Sequence, residues 1–325
     1  MIQSILFYGA GSIGSLFAGI LCKSGPEISM IAREPHATYC NNKGLTIHDV
    51  VEGRIKNTCP ISSAALLSDL QQEINLDPDI VIVSCKAYDN EYAAIDLQRL
   101  INKNENTKII LLQNGVGNEE IFYEYYDPER IYRIITSEGA LLVSPANVIH
   151  GGKGQTYIGN PKVERKDQIS TEIAGLFSDA GIETYATDQI NKQIWTKCLI
   201  NSPINPIATL NNVKNGELIK RPNLKELVIN VIDETLKVFR GRKIDFSHSH
   251  DPFEAVFNVV KNTSENKCSM LQDIERGRQT EIDFLNGRIV REANIENIDV
   301  PYNFSLYNEI KRLEFSQKIH RNISF

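Results

Sequence analysis

The chain lacks the patterns of a metal-binding or disulfide-stapled protein. Its six cysteines, Cys22, Cys40, Cys59, Cys85, Cys198 and Cys268, form no C-x-x-C pair and do not cluster with the six histidines. That excludes the common zinc spacings and leads us to expect reduced thiols in a cytoplasmic protein, with no metal. Positive charge is also scarce: 35 Lys and Arg against 41 Asp and Glu give a net charge of −6, so neither nucleic acid nor an anionic membrane is expected as the main partner. There is no internal repeat and no low-complexity segment. Only Ser4 to Cys22 is long, mostly apolar and free of charge, like a membrane span or signal peptide. No Lys or Arg precedes it, and its glycines fit a soluble phosphate-binding turn better.

What is present is ordinary globular material, 42% hydrophobic and 23% charged. At 325 residues the chain exceeds one ordinary core, and two domains are expected. The change of pattern falls near residue 187. Residues 1–187 mix strands and helices as in a doubly wound α/β sheet, and residues 188–325 show only helical periodicity. Helices are expected over 189–212, 223–240, 252–263, 270–295 and 303–319, with a polar tail after Glu314 that is partly disordered.

The first domain opens with a short apolar strand, then Gly9-Ala10-Gly11-Ser12-Ile13-Gly14, then a helix rich in Leu, Phe, Ala and Ile. This is the order required of a dinucleotide-binding turn. Gly9 permits the turn, Gly11 lets the backbone approach a pyrophosphate, Gly14 brings helix and strand together, and the helix N-terminus receives the anion. The second strand, Glu27 to Ala32, ends at Arg33, whose guanidinium suits the 2′-phosphate of NADPH. Glu34 follows and keeps a ribose hydroxyl of NAD open, and a surface pair of Arg33 with Glu34 or Glu52 is the plainer alternative. Two further apolar strands deliver Cys85-Lys86-Ala87 and Gln113-Asn114-Gly115. Four strands thus end at Gly9, Arg33, Lys86 and Asn114, where ligands bind in open parallel sheets. Beyond them, strands near 130–136, 139–143, 148–150 and 154–159 are expected to extend the sheet with antiparallel pieces, and residues 64–73 read as a helix.

In the second domain Lys197, Asn201 and Asn205 recur every four residues among Ile194, Cys198, Leu199, Ile200 and Ile204, an amine and two amides on one stripe of a helix. Pro203 lies inside that helix and should loosen it near Leu199. A solvated helix face is the plain alternative. Asn266 and Ser269 fall where a loop enters a helix, suited to a carboxylate, although Ser269 also reads as a simple N-cap and Glu281 as a surface partner of Arg278.

With these pieces assembled the chain resembles the ketopantoate reductase (2-dehydropantoate 2-reductase) family over nearly its full length. The motifs that carry the resemblance are Gly9-x-Gly11-x-x-Gly14, Arg33, Cys85-Lys86-Ala87, Gln113-Asn114-Gly115, Trp195-x-Lys197-x-x-x-Asn201-x-x-x-Asn205, Asn215-Gly216-Glu217-Leu218, Ser269-Met270-x-Gln272-Asp273 and Glu281-Ile282-Asp283. The resemblance implies an N-terminal Rossmann domain and a helical C-terminal domain like that of 6-phosphogluconate dehydrogenase, with a cleft between them. It also implies reduction of ketopantoate to pantoate, a step of pantothenate and coenzyme A synthesis, with NADPH as cofactor. Lys197 is then the proton donor and Glu281 its helper on the substrate hydroxyl. Asn114, Asn201, Asn205, Asn215, Asn266 and Ser269 hold the substrate, and Gly9 to Gly14, Arg33, Lys86 and Asn114 hold the cofactor. A homodimer is compatible with this reading. Two alternatives remain beside it: reduction of another branched 2-oxo acid on the same scaffold, and an NADP-sensing module without chemistry.

Overall fold

The computed structural model describes residues 2–49, 54–59, 63–66, 77–101, 106–163, 165–244, 246 and 251–323. By Cα proximity the chain divides into two compact units, Met1–Gln113 with Asn118–Asn191, and Asn114–Gly117 with Lys192–Phe325. The sequence reading divides the chain near residue 187; in the structure the short segment after Gln113 groups with the later residues.

The first unit begins with β1 (Ser4–Tyr8), α1 (Ser12–Leu21), β2 (Glu27–Ala32), α2 (His36–Lys43), β3 (Leu45–Asp49), β4 (Arg54–Cys59), β5 (Ser63–Leu66) and β6 (Ile80–Val83). It continues through α3 (Asn90–Leu100), β7 (Lys108–Leu112), α4 (Asn118–Tyr123), β8 (Ile131–Thr136), β9 (Gly139–Ser144), β10 (Asn147–Gly152), β11 (Thr156–Gly159), α5 (Gln168–Asp179) and β12 (Thr184–Ala186). Eight strands form the main sheet in the order β12-β11-β8-β7-β6-β1-β2-β5. The run from β8 to β5 is parallel throughout, and β11 pairs antiparallel with β8. From β1 the chain first winds outward to β2 and then returns to β6 on the other side. That reversal makes the carboxyl ends of β1 and β6 the switch point where ligands bind in such sheets.

The unbroken apolar runs follow from burial on both faces. Ile5 and Phe7 pack with α1 and α5, where Phe17 and Phe177 meet edge to face at 5.7 Å, while Leu6 and Tyr8 pack with Ala93, Ala94 and Leu97 of α3. Burying each such large side chain stabilises the fold by about 1.5–3 kcal/mol.

Of the four strands expected to extend the sheet with antiparallel pieces, only β11 does so. Strand β8 joins the main sheet parallel to β7 and β11 pairs antiparallel with β8, but β9 and β10 lie in a second sheet of order β4-β3-β10-β9, where β10 pairs with both β9 and β3. The reason lies in α1, whose residues Gly14 to Leu21 are all buried. A helix apolar all round needs cover on both sides. The second sheet supplies it: a Cβ on Gly19 would come within 2.7 Å of Ile47 Cδ1 in β3, and Ser12 Oγ accepts from the Leu142 N–H of β9 at 3.0 Å. The charge-free stretch Ser4 to Cys22 is therefore a core strand and a core helix. Among the described residues no helix is long and apolar enough to cross a membrane. The helix expected over 64–73 is also corrected, because residues 64–66 belong to β5 and the rest lies outside the described residues. Of the six cysteines, Cys40, Cys85, Cys198 and Cys268 are free thiols, whereas Cys22 is disulfide-bonded, against the expectation.

The second unit is helical: α6 (Ile190–Leu210), α7 (Glu217–Lys220), α8 (Pro222–Gly241), α9 (Pro252–Asn262), α10 (Ser269–Glu275), α11 (Asn286–Ile295) and α12 (Pro301–Ile323). The single helix expected over 270–295 is instead α10, a 3-10 turn at Ile282–Phe284, and α11. Gly277 stops α10: with φ +61 it takes the left-handed conformation, and the Arg278 N–H folds back to the Asp273 carbonyl at 2.7 Å. The polar tail after Glu314, expected to be partly disordered, continues as α12 to Ile323.

Candidate active site

In the first unit the glycine turn is built by close approach. Gly9 has φ +86, and a Cβ there would lie 2.6 Å from the Cys85 nitrogen. A Cβ on Gly14 would lie 2.1 Å from Ser84 Oγ, which itself donates to the Gly9 carbonyl at 2.6 Å. The carboxyl end of β6 thus presses against the turn after β1, and both glycines are required sterically. Gly11 is different: a Cβ there would meet nothing within 4 Å, and Gly11 is the N-cap of α1 without a side-chain cap. The first N–H groups of a helix have no intrahelical acceptor. With no acidic side chain in that first turn, these amides suit a phosphate, so the loop fits the pyrophosphate of a dinucleotide.

His36 braces this turn from α2. Its Nδ1 accepts from the Ala146 N–H at 3.0 Å, so the ring proton resides on Nε2, which faces Ser15 Oγ at 3.0 Å. Burial lowers the His36 pKa below 6.5 and keeps the ring neutral. Arg33, exposed directly after β2, pairs with Asp89 at 3.5 Å and not with Glu34, whose carboxylate accepts from Thr38; Glu52 lies outside the described residues. Burial raises the Asp89 pKa, and Arg33 partly opposes that rise. Lys86 follows β6 as the N-cap of a 3-10 turn over Ala87–Asp89.

Sequence reasoning missed the polar frame where the end of β7 meets β8. Arg133, fully buried in the middle of β8, pairs with Glu119 and donates to the Gln113 carbonyl at 3.2 Å. Gln113 Nε2 donates to Asn90 Oδ1 at 2.6 Å and to the Cys85 carbonyl at 2.9 Å. A cation within an apolar strand was the available signal, since a buried guanidinium demands partners.

The second unit carries the remaining candidates. Lys197, Asn201 and Asn205 lie on α6 at the expected spacing; Lys197 and Asn201 are half-buried, and Asn205 is buried. The neighbouring Cys198 is fully buried, which pushes its thiol up to about 12 and makes it a packing residue. Pro203 and Pro206 both stand inside α6. Pro203 denies the Leu199 carbonyl its helical donor, and Ser202 Oγ replaces it at 3.4 Å.

Glu281 is 7% exposed and not a surface ion-pair residue. Asn114 Nδ2 donates to its Oε2 at 3.4 Å. The Gly115-Val116 backbone is bound to the same loop: the Val116 N–H donates to the Phe284 carbonyl at 2.9 Å, and a Cβ on Gly115 would lie 2.5 Å from Phe284 Cβ. Three residues of α12 hold the loop on both sides of Glu281. Glu314 accepts from the Thr280 N–H and Oγ1 at 2.7 and 2.6 Å, and Tyr307 and Lys311 donate to Asp283 at 2.9 and 2.8 Å.

Asn215 and Asn266 are joined through backbone, N–H to carbonyl at 3.0 Å, and Asn215 Nδ2 donates to Thr263 Oγ1 at 2.9 Å. The N-cap of α10 is Cys268, which accepts from the Leu271 N–H, so Ser269 is the first helical residue, exposed and not a cap. Cys268 Sγ also donates to the Asn205 carbonyl at 3.5 Å, which ties the start of α10 to the amide stripe of α6. The structure therefore joins Asn114 with Glu281, Asn215 with Asn266, and Asn205 with the residue before Ser269. Among the described residues no group of three or more His, Cys, Asp or Glu could hold a metal ion.

Comparison with known proteins finds relatives over nearly the full chain. The family model described as "Ketopantoate reductase PanE/ApbA" matches residues 5–162, and "Ketopantoate reductase PanE/ApbA C terminal" matches residues 189–314. The 2-dehydropantoate 2-reductase of Pyrococcus horikoshii is 35% identical over 315 residues, covering 96% of this chain and 98% of that protein. Its namesake from Pyrococcus abyssi is 33% identical over 312 residues, with the same two shares. Among solved structures, D-mandelate dehydrogenase with NADH and anilino(oxo)acetate is 27% identical with a TM-score of 0.86, covering 97% of this chain and 99% of that one.

Proposed function

The chain belongs to the ketopantoate reductase family, and from that premise we propose that it reduces the 2-oxo group of 2-dehydropantoate to the alcohol with NADPH, using Lys197 and Glu281. When bound, NADPH supplies the hydride to C2. The glycine turn from Gly9 to Gly14 binds its pyrophosphate, Arg33 its 2′-phosphate, and Lys86 and Asn114 complete the nucleotide contacts. The second division of the chain, residues 188–325, serves the substrate. The Lys197 ammonium stabilises the oxyanion that develops at C2 and donates the proton to it. Glu281 accepts from the substrate hydroxyl and keeps the lysine oriented. Asn201, Asn205, Asn215 and Asn266 hold the polar groups of the 2-oxo acid, and Ser269 its carboxylate.

The observation that carries the catalytic assignment is the burial of Glu281 against Asn114, held from both flanks by α12. A carboxylate is not kept out of water at such expense for surface solubility. A reductase of a different 2-oxo acid is the second reading, supported by the likeness to D-mandelate dehydrogenase with NADH. An NADP sensor without chemistry has no use for Lys197 or Glu281. Steady-state oxidation of NADPH and NADH with 2-dehydropantoate and with 2-oxoisovalerate decides among the three. The highest kcat/KM for 2-dehydropantoate with NADPH is expected, a preference for the other acid would replace the substrate, and no turnover with any pair would leave the sensor.

A further inference from the structure

Pro206 denies the Ser202 carbonyl its helical donor, as Pro203 does for Leu199. Ser202 is fully buried, so water is no substitute. Asn286, at the start of α11, supplies the missing hydrogen bond: its Nδ2 donates to the Ser202 carbonyl at 3.0 Å. The same Nδ2 donates to Asn303 Oδ1 at 3.0 Å, and Asn303 Nδ2 donates to Glu234 Oε2 at 2.9 Å. Glu234, in α8, also accepts the N–H groups of Tyr302 and Asn303 at the start of α12, both at 2.9 Å. Asn286 and Asn303 are fully buried and Glu234 is 3% exposed.

Three helices thus send one polar relay to a single carbonyl in α6. A lone Ser hydroxyl satisfies the carbonyl freed by Pro203, so satisfaction alone does not require a relay of this length. What the relay adds is position, because Asn303 is held at both ends of its amide and in turn fixes the Asn286 Nδ2 group, which donates to two acceptors at once. The carbonyl it fixes belongs to the residue after Asn201 and lies within the turn that leads to Asn205.

We propose that Asn286 is a positioning residue: through the Ser202 carbonyl it sets the turn carrying Asn201 and Asn205, and so the affinity for the 2-oxo acid. The proposal rests on the reading that this turn binds substrate. The test compares Asn286→Leu, Pro206→Ala, the double variant and Asn201→Ala for kcat, KM, NADPH affinity and Tm. Asn286→Leu is expected to raise the 2-dehydropantoate KM about two- to twelvefold, the range of one lost hydrogen bond, with kcat and NADPH affinity changed far less. Pro206→Ala gives the Ser202 carbonyl a backbone donor, so the double variant regains part of the lost Tm while its KM stays high. Recovery of KM together with Tm, or an unchanged KM in Asn286→Leu, overturns the proposal. If Asn286→Leu does not fold, Pro206→Ala alone serves, since it leaves the relay intact and competes for its target; an unchanged KM there also overturns it. An unchanged KM in Asn201→Ala instead overturns the substrate reading beneath it.

Discussion

Asn114 Nδ2 lies 3.4 Å from Glu281 Oε2, although 167 positions separate the two residues in the chain. The amide follows the last residues of a buried strand, and the carboxylate precedes a 3-10 turn between two helices. Glu281→Ala is expected to lower kcat and raise the 2-dehydropantoate KM, because on the proposed function it removes a substrate contact, and it leaves the Asn114 amide without this acceptor. Loss of a charged hydrogen bond corresponds to about ten- to a hundredfold in kcat/KM. A variant that loses only Tm, with kinetics intact, would return Glu281 to a structural role.

Lys197→Ala is expected to lower kcat by about 10² to 10⁴ while NADPH binding stays nearly unchanged, since the contribution lost on the proposed function is general-acid assistance to the carbonyl oxygen. Stopped-flow turnover beside fluorescence titration of the nucleotide separates the two effects. Most of the wild-type turnover surviving in the variant would remove Lys197 from the mechanism.

Arg33 stands directly after β2 with its side chain 77% exposed, and its one described partner is Asp89. Arg33→Ala is expected to weaken NADPH binding about ten- to a hundredfold, leave NADH nearly unchanged and flatten the salt dependence of NADPH affinity. Calorimetric titration of both nucleotides into both proteins measures this. A wild type that prefers NADH, or a variant that keeps its NADPH preference, would transfer the discrimination to another residue, with Glu34 the first candidate.

The stability of the first unit should fall in mild acid through His36. Burial lowers its folded pKa below 6.5, so the folded ring stays neutral where the unfolded ring takes a proton. The contribution is whole above pH 6.5 and is lost as pH falls from there toward the folded value. In that window the slope approaches about 1.4 kcal/mol per pH unit for one proton. Urea unfolding between pH 7.5 and 5, a range of about the usual histidine span, should show a shallower pH dependence in His36→Gln than in the wild type. Parallel curves for the two proteins would mean that His36 is not the titrating group.

The sequence by itself determined many of the local elements and which polar side chains stand on them. Apolar runs placed β1, β2, β6, β7 and β8 within a residue or two, although β5 was read as the start of a helix, and the glycine spacing marked the turn after β1, because these signals are written in neighbouring residues. Four-residue periodicity likewise placed Lys197, Asn201 and Asn205 on one stripe, and the rule that proline lacks an N–H pointed to Leu199. Only the tertiary structure decided which strands pair. Strands β9 and β10 read like further strands of the main sheet, yet they left it to cover α1, and a strand's pattern specifies its faces, not its neighbours. The same holds for polar partners. Nothing near Glu281 in the chain indicates Asn114, nothing near Ser202 indicates Asn286, and Arg133 in its apolar strand announces a need for a carboxylate without saying that Glu119 meets it. Such contacts form between residues tens to hundreds of positions apart, and the burial that makes them strong exists only once the chain has folded.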